Sequence, residues 1–438
     1  MGRMWRTRIL LAILLGLVFC GTAPARAATG FQTKFPKNFL WGVATSGFQS
    51  EGSFPDSNWT RYARSGAGKA QPYGLSADFL HQYPADIQRA KALGVKVFRT
   101  SIEWARVEPR KGYRDPKALA YYDDLVRRIR AAGMRPMLTL DHWVYPGWVA
   151  DQGAWDNPQT VKDWLAEAQF VVQRYRHLGV TWITFNEPSA YMIEEFEHRT
   201  MTLAQLANMR SALISAHRQA YDMIHRIDPG TMVTSNTAYT SLLNIPSEAL
   251  VFDSIADKMD FIGIDYYYGA SLGNLSTINA GTGQPWKADP EPEGLYYVLK
   301  SYQRRFPDLP MYVVENGMST DDGKPRPDGY TRSDHLKDHV YWMQRALADG
   351  VKVIGYNYWS ITDNYEWGSY EPRFGLYTVN TTDPKRTRHP TDAVPTYRSI
   401  IANGGVPKGY VPVRKPAWCS VEDLVATCLG IRPIYPAP

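Results

Sequence analysis

One unit recurs along this chain: a charged amphipathic stretch closes on Gly, and an apolar run follows at once. Gly94 precedes Val95-Lys96-Val97-Phe98, Gly133 precedes residues 134–140, and Gly179 precedes 180–185. Gly230 precedes Thr231-Met232-Val233, and Gly350 precedes 351–356. A glycine in that position takes the left-handed conformation that ends a helix. The unit is helix, Gly, strand, loop, repeated at intervals of roughly 40–50 residues. Eight apolar runs read as strands: 39–45, 95–101, 135–141, 181–186, 231–236, 261–267, 311–316 and 353–359. Between them, 115–132, 161–178 and 203–227 carry apolar residues at three- and four-residue spacing, and 334–349 does so less regularly. Eight strand–helix units in one chain predict an α/β fold, a single (β/α)8 TIM barrel. An open doubly wound sheet would show a Gly-rich phosphate turn after its first strand, and Trp41-Gly42-Val43-Ala44-Thr45-Ser46-Gly47 is not one. Gly66-Ala67-Gly68-Lys69 lacks the phosphate-loop spacing, follows no strand, and reads as a plain loop.

The ends of the chain fall outside that repeat. Residues 1–27 have the layout of a secretory signal peptide: Arg3, Arg6 and Arg8, an apolar stretch from Ile9 to Cys20, and Ala25-Arg26-Ala27 as a cleavage site. This predicts a secreted, periplasmic or cell-envelope protein whose barrel domain spans 28–403. The apolar stretch is too short to cross a bilayer, and no later run reaches the ~18 apolar residues of a membrane span. Residues 404–438 are rich in Pro and Gly and are expected to form a C-terminal extension packed on the barrel. The formal charge of +6 includes the four leader arginines, at 3, 6, 8 and 26, and leaves +2 without them. That balance gives no electrostatic case for a nucleic-acid or membrane-surface partner. Cys419 and Cys428 remain after leader removal, and in an oxidising compartment a disulfide is expected. The helix start at Ser420-Val421-Glu422-Asp423 must then be short, because a helix running through Cys428 would hold the sulfurs apart.

The chemistry lies at the strand ends. Loops after strands one, six, seven and eight are long, and in a barrel they gather at the C-terminal mouth. Strand one leads to Gln49 and Glu51, strand two contains Arg99, and strand three ends in Asp141-His142-Trp143. Strand four ends in Asn186-Glu187-Pro188 and strand six in Asp265-Tyr266-Tyr267. Strand seven, Met311-Tyr312-Val313-Val314-Glu315-Asn316-Gly317, closes an apolar run on a carboxylate, and strand eight leads from Trp359 to Glu366-Trp367. Each residue alone has an ordinary structural explanation; His142 would suit a hydrogen-bonded rim and Trp359 plain packing. Together they place two carboxylates, Glu187 and Glu315, across one mouth, the arrangement that glycosidic cleavage needs. One must donate a proton to the leaving oxygen while the other stays ionised, so their surroundings must differ. Arg99 and Tyr267 are placed to hold Glu315 ionised by charge and hydrogen bond. Glu187, beside neutral Asn186 and Pro188, is the better general acid. Trp143, Trp359 and Trp367 offer flat apolar faces to a sugar ring, and Gln49, His142, Asn186 and Glu366 offer groups for its hydroxyls.

These residues resemble glycoside hydrolase family 1, the retaining β-glucosidases and their relatives, from Phe39 to about Tyr377. The segment 39–52, Phe98-Arg99-Thr100-Ser101-Ile102-Glu103-Trp104, Thr184-Phe185-Asn186-Glu187-Pro188, Val314-Glu315-Asn316-Gly317, the segment 359–367 and Arg373-Phe374-Gly375 carry the resemblance, in order. It implies a terminal, non-reducing β-linked sugar as substrate, a glucoside, galactoside or similar, cleaved by double displacement without cofactor or metal. Glu187 would be acid and then base, and Glu315 the nucleophile of a covalent glycosyl-enzyme. Arg99 and Tyr267 would orient Glu315, Asn186 would bind the sugar 2-hydroxyl, and Gln49, His142, Trp143, Trp359, Glu366 and Trp367 would line the sugar site. Retention requires carboxyls about 5–5.5 Å apart, inversion about 6.5–9.5 Å. Glu366 suits an unphosphorylated sugar, since it would repel a 6-phosphate.

Several positions depart from the family pattern. Asp265 stands where the family has Asn; it either adds a third negative charge near Glu315 or pairs with Arg99. Ser189 replaces a large aromatic after Pro188, which alters the leaving-group side. Competing readings are a non-catalytic member of the fold that binds a sugar or a protein, and an endo-acting barrel glycosidase. The first typically lacks a carboxylate, and the chain has both; Gln49 and Glu366-Trp367 favour a pocket for a terminal sugar over an open cleft. His335 and His339 share metal-ligand spacing, but Leu336 stands where a zinc protease needs Glu, and the pair is expected to be solvated near a helix start.

Overall fold

The computed structural model describes residues 34–66, 70–199 and 201–430; residues 1–27, expected from the sequence to be a leader, lie outside them. Eight parallel strands close into a barrel. They are β1 (Leu40–Ala44), β2 (Val97–Ser101), β3 (Arg135–Asp141), β4 (Thr181–Asn186), β5 (Met232–Ala238), β6 (Ile262–Asp265), β7 (Met311–Asn316) and β8 (Val353–Trp359). β1 pairs with both β2 and β8, which completes the ring. Each strand is followed by a helix: α1 (Phe79–Leu93), α2 (Pro116–Ala131), α3 (Pro158–Tyr175), α4 (Leu203–Ile227), α5 (Asn244–Leu250), α6 (Pro292–Arg305), α7 (Arg332–Ala348) and α8 (Ala393–Asn403). A parallel sheet needs such crossovers, and their apolar stripes cover its outer face. Tyr122, Leu125, Val126 and Ile129 of α2 show the pattern, all buried.

Local signals fix where the helices start and stop. Asp115 caps α2 by accepting from the Lys117 amide at 2.7 Å, and Thr202 and Thr331 form capping boxes at α4 and α7. Gly94, Gly133, Gly179, Gly230 and Gly350 all have positive φ, as their place between helix and strand requires.

Alternation along the strands explains why the barrel is dry below and polar above. Val97 and Met137 point inward with Ile183, Phe261, Tyr312 and Val314 and close the lower barrel. Two residues on, Arg99 and Thr139 share that inward direction, and the Arg99 Nε donates to Thr139 Oγ1 at 3.2 Å. The register shifts near the strand ends, between Ile183 and Asn186, Ile264 and Asp265, and Val313 and Asn316. Such bulges re-aim side chains at the end of a sheet. The shift on β6 also ends that strand at Asp265, so Tyr266 and Tyr267 lie just past it rather than within it.

Residues 404–430 run along the outside of the barrel. Asp338 on α7 accepts from the Tyr410 hydroxyl at 2.6 Å and from the amides of Val413 and Arg414 at 3.0 and 2.9 Å. Cys419 and Cys428 are joined, and the helix Leu424–Cys428 is short enough to allow it. His335 and His339 are buried, not solvated: α7 turns them inward, with their rings 3.9 Å apart. Burial holds both well below the usual imidazole range, so both are neutral.

Candidate active site

Gln49, His142, Trp143, Asn186, Glu187, Tyr267, Glu315, Trp359, Glu366 and Trp367 line one cavity of about 340 Å³ at the C-terminal mouth. Arg99 lies beneath it, fully buried, and reaches the site through its partners.

Glu315 sits at the end of β7 with both oxygens engaged. Arg99 Nη1 donates to Oε1 and the Tyr267 hydroxyl donates to Oε2 at 2.6 Å. Burial and the surrounding carboxylates keep Tyr267 protonated, so it remains a donor. The second arm of Arg99 donates to Asn186 Oδ1 at 2.6 Å, and Trp143 Nε1 donates to the Asn186 carbonyl at 2.8 Å. Arg99 therefore orients the residues that flank both carboxyls.

Glu187 is part-buried and, among the described residues, meets no cation directly. Asn186 Nδ2 donates to its Oε2 at 3.3 Å. Enclosure by the cavity walls, and then the charge of Glu315, push Glu187 up to about 8. An oxygen of Glu187, one of Glu315 and one of Asp265 all lie within 4.8 Å of one another. Like charges that close cannot all ionise; Arg99 compensates one, and protons must neutralise the rest.

Asp265 does not pair with Arg99. Asn236, within β5, donates through Nδ2 to Asp265 Oδ2 and to Asn186 Oδ1, the latter at 2.7 Å. Burial, then the charges of Glu315 and Glu187, hold the Asp265 carboxyl well above the usual range, so it is protonated beside protonated Glu187.

The other end of the cavity is built from rings and one further carboxyl. Glu366 accepts from Gln49 Nε2 at 2.8 Å and Trp359 Nε1 at 3.1 Å, and burial pushes it up to about 8. The His142 ring lies nearly parallel to Trp359 and Trp367, at 6.0 and 5.7 Å. Burial and the facing Arg99 keep it neutral, so it can both donate and accept. Trp143, Glu187 and Trp367 each hold a positive φ of 70°, 40° and 42°, a strained backbone that side-chain residues adopt where the surroundings over-determine it.

Sequence reading missed three contributors. Asn236 of β5 pairs with Asn186, the last residue of β4, and the apolar run 231–236 closes on it, so inspecting the end of that run would have found it. Glu194 lines the cavity from the helix Pro188–Arg199, two turns beyond Glu187, and enclosure pushes it up to about 7. Ala280, Gly283 and Pro285 reach the cavity from the loop after β6, whose path no local pattern encodes. Ser189 shapes the same side: its hydroxyl donates to the Ser247 carbonyl at 2.7 Å and ties that helix to α5.

Comparison with known proteins gives the same fold and a family. The chain is 31% identical over 398 residues to a chloroplast galactolipid galactosyltransferase of Arabidopsis thaliana, a match covering 80% of this chain and 61% of that protein. It thus spans about three fifths of that relative. It is 28% identical over 447 residues to β-glucosidase A of Thermotoga maritima, covering 85% and 99%. A solved structure of the Thermotoga maritima β-glucosidase in complex with azafagomine superposes with a TM-score of 0.73 at 24% identity, covering 85% of this chain and 100% of that one, a likeness of fold. The model of Glycosyl hydrolase family 1 matches residues 31–240 and 229–406, nearly the whole barrel. The chain belongs to glycosyl hydrolase family 1.

Proposed function

We propose that this protein is an exported, retaining β-glycosidase that releases the terminal, non-reducing β-linked sugar of a β-glycoside. The observation that carries this reading is the trio of carboxyl oxygens within 4.8 Å, with Glu315 held by Arg99 and Tyr267 while Glu187 has no cation of its own. That closeness supports a direct-attack geometry over one with room for a water between the carboxyls.

In the first step the Glu315 carboxylate attacks the anomeric carbon. The glycosidic C–O bond breaks as Glu187 gives its proton to the leaving oxygen. In the second step Glu187, now ionised, takes a proton from water; the oxygen attacks the anomeric carbon and Glu315 leaves as carboxylate. The raised pKa of Glu187 fits both halves, since its proton must be present when the glycoside binds and must return when water attacks. Gln49, His142 and Glu366 supply donors and acceptors for sugar hydroxyls, and Asn186, hydrogen-bonded to Glu187, is the residue assigned to the 2-hydroxyl.

A specific observation favours a second reading of the same intermediate. One relative is named a galactolipid galactosyltransferase, and transfer differs from hydrolysis in that a sugar hydroxyl, not water, attacks the glycosyl-enzyme. The disulfide supports export, since such bonds persist in oxidising compartments. Mass spectrometry of the exported protein should find its N-terminus at Ala28.

The test is turnover of a panel of nitrophenyl β-glycosides by wild type, Glu315→Ala and Glu187→Ala. Wild type should be active and Glu315→Ala inactive, with azide restoring turnover and giving the product of inverted configuration. An inert wild type across the panel would leave a sugar-binding, non-catalytic role instead. Release of more nitrophenol than free sugar, when a galactolipid is added as acceptor, would favour transfer.

A further inference from the structure

A group of exposed apolar side chains lies in the loops after β5 and β6 and in the tail beside them, apart from others such as Leu203 at the start of α4 and Val413 beside α7. Leu243 follows β5; Leu272, Leu275 and Ile278 follow β6; Trp418 and Val425 belong to the disulfide-closed tail. They are between 49% and 68% exposed. The tail joins that surface through the backbone: the Leu272 amide donates to the Cys419 carbonyl at 3.2 Å, and the Val421 amide to the Ala270 carbonyl at 2.8 Å. Long stretches of these loops are uncharged, and the charges of the loop after β6, Lys287, Asp289 and Glu291, fall at its end. No Asp, Glu, Lys or Arg occurs between Asp228 and Glu248, or between Asp265 and Lys287. Exposed loops of a soluble domain normally mix charges of both signs. Those after β1, β7 and β8 do so here, with Asp56, Arg61, Asp321, Lys324, Asp383 and Lys385 among them.

This surface is continuous with the candidate active site. Ala280, on the same four-residue helix as Ile278, lines the cavity, as does Glu194 beside half-exposed Ile193. The aglycone of a glycoside bound in the cavity leaves across these loops. A second copy of the chain, or a protein partner seated there, would stand in its path. A lipid surface would not, because it presents the substrate from that direction. Leu and Ile among Ser, Thr, Asn and Gly, with an exposed Trp at the edge, are what the boundary between headgroups and acyl chains accepts. No basic residue occurs in 229–247 or 266–286, which favours a surface that needs no anionic lipid.

We propose that the loops after β5 and β6 and the disulfide-closed tail dock on a zwitterionic lipid bilayer, so that the protein takes the sugar of an amphiphilic β-glycoside whose apolar chains stay in the membrane. This rests on the proposed glycosidase activity for its substrate class, though the docking itself does not. The net charge of the chain could not reveal it, because the attraction is apolar.

The test is flotation of the full mature chain with phosphatidylcholine vesicles containing dodecyl β-glucoside, beside turnover of that glycoside and of soluble nitrophenyl β-glucoside. Wild type should float, and the double variant Leu272→Asp with Ile278→Asp should lose at least about tenfold in partitioning and in kcat/KM on the vesicle glycoside. Its kcat/KM on the soluble glycoside should stay at the wild-type value, which also certifies its fold. Trp418→Ala, outside the barrel loops, should weaken flotation in the same direction. The proposal is overturned if wild type stays in the bulk and the double variant cleaves the vesicle glycoside equally well. It is also overturned if light scattering shows a dimer that the double variant dissolves. Flotation without turnover of either glycoside would sink the glycosidase reading and leave the docking surface standing.

Discussion

At the candidate active site three carboxyls, Glu187, Asp265 and Glu315, face one buried guanidinium, Arg99, and the distribution of protons among them decides what each can do. Glu187 must carry its proton to act as acid, and it is pushed up to about 8. The alkaline limb of kcat/KM should therefore fall near pH 8 and vanish in Glu187→Ala. That variant should lose roughly 10²–10⁴-fold on a glycoside with a poor leaving group and less on an activated nitrophenyl glycoside, which needs little protonation. An unchanged alkaline limb would assign that titration elsewhere. Asp265 gives a stability prediction with a definite sign. Its carboxyl is raised well above the usual 3.8, so between that value and its folded pKa the unfolded chain has released a proton that the native chain still holds. Its contribution is complete below pH 3.8 and is lost as the pH rises, at up to ~1.4 kcal/mol per pH unit. Asp265→Asn removes that loss and keeps a polar partner for Asn236. Thermal melts from pH 4 to 8 should show the variant gaining on wild type as the pH rises; a constant difference would mean that Asp265 is ionised in the native protein.

The strand ends show how tightly these elements must fit. Gly317 follows the β7 carboxylate, and a Cβ there would lie 1.9 Å from the Trp359 carbonyl at the end of β8. A backbone oxygen cannot move aside as a side chain can, so Gly317→Ala should push β7 and β8 apart, costing about 1–3 kcal/mol by chemical denaturation and lowering kcat. Lower down, Tyr312 donates to Asn357 Oδ1 at 2.8 Å, and Gly355 leaves room for the Tyr312 ring. Much of this was legible in the sequence because it is periodic or local. The five glycines marked helix ends by a conformation that only glycine takes cheaply, and the apolar runs marked strands buried on both faces. The strand-end residues followed from the count of eight. What escaped depended on packing between distant segments. Asn236 joins Asp265 to Asn186 through a side chain whose role appears only when β5 lies between β4 and β6. His335 and His339 looked solvated from their place near a helix start and are buried because α7 turns that face to the barrel. Tyr267 falls past its strand because of a bulge, which no run of residue types announces.

For the whole molecule, the barrel supplies a rigid frame with chemistry at one end, and the tail is attached to its outside by a few polar contacts and the loop after β6. The disulfide closes a span of nine residues, which by loop-closure entropy stabilises the tail by about 2–3 kcal/mol. Cys419→Ser with Cys428→Ser should make residues 404–430 accessible to limited proteolysis while hydrolysis of a soluble glycoside persists; loss of that hydrolysis would mean the tail supports the barrel itself. The central claim, that one carboxylate of this mouth attacks the sugar directly while the other manages the proton, is tested most directly by the configuration of the first product. Proton NMR during the opening minutes of hydrolysis of a β-glycoside, before the free sugar equilibrates, should show the β-anomer appearing first, as double displacement requires. The α-anomer appearing first would contradict the account, since it would mean that water, and not Glu315, attacks the anomeric carbon.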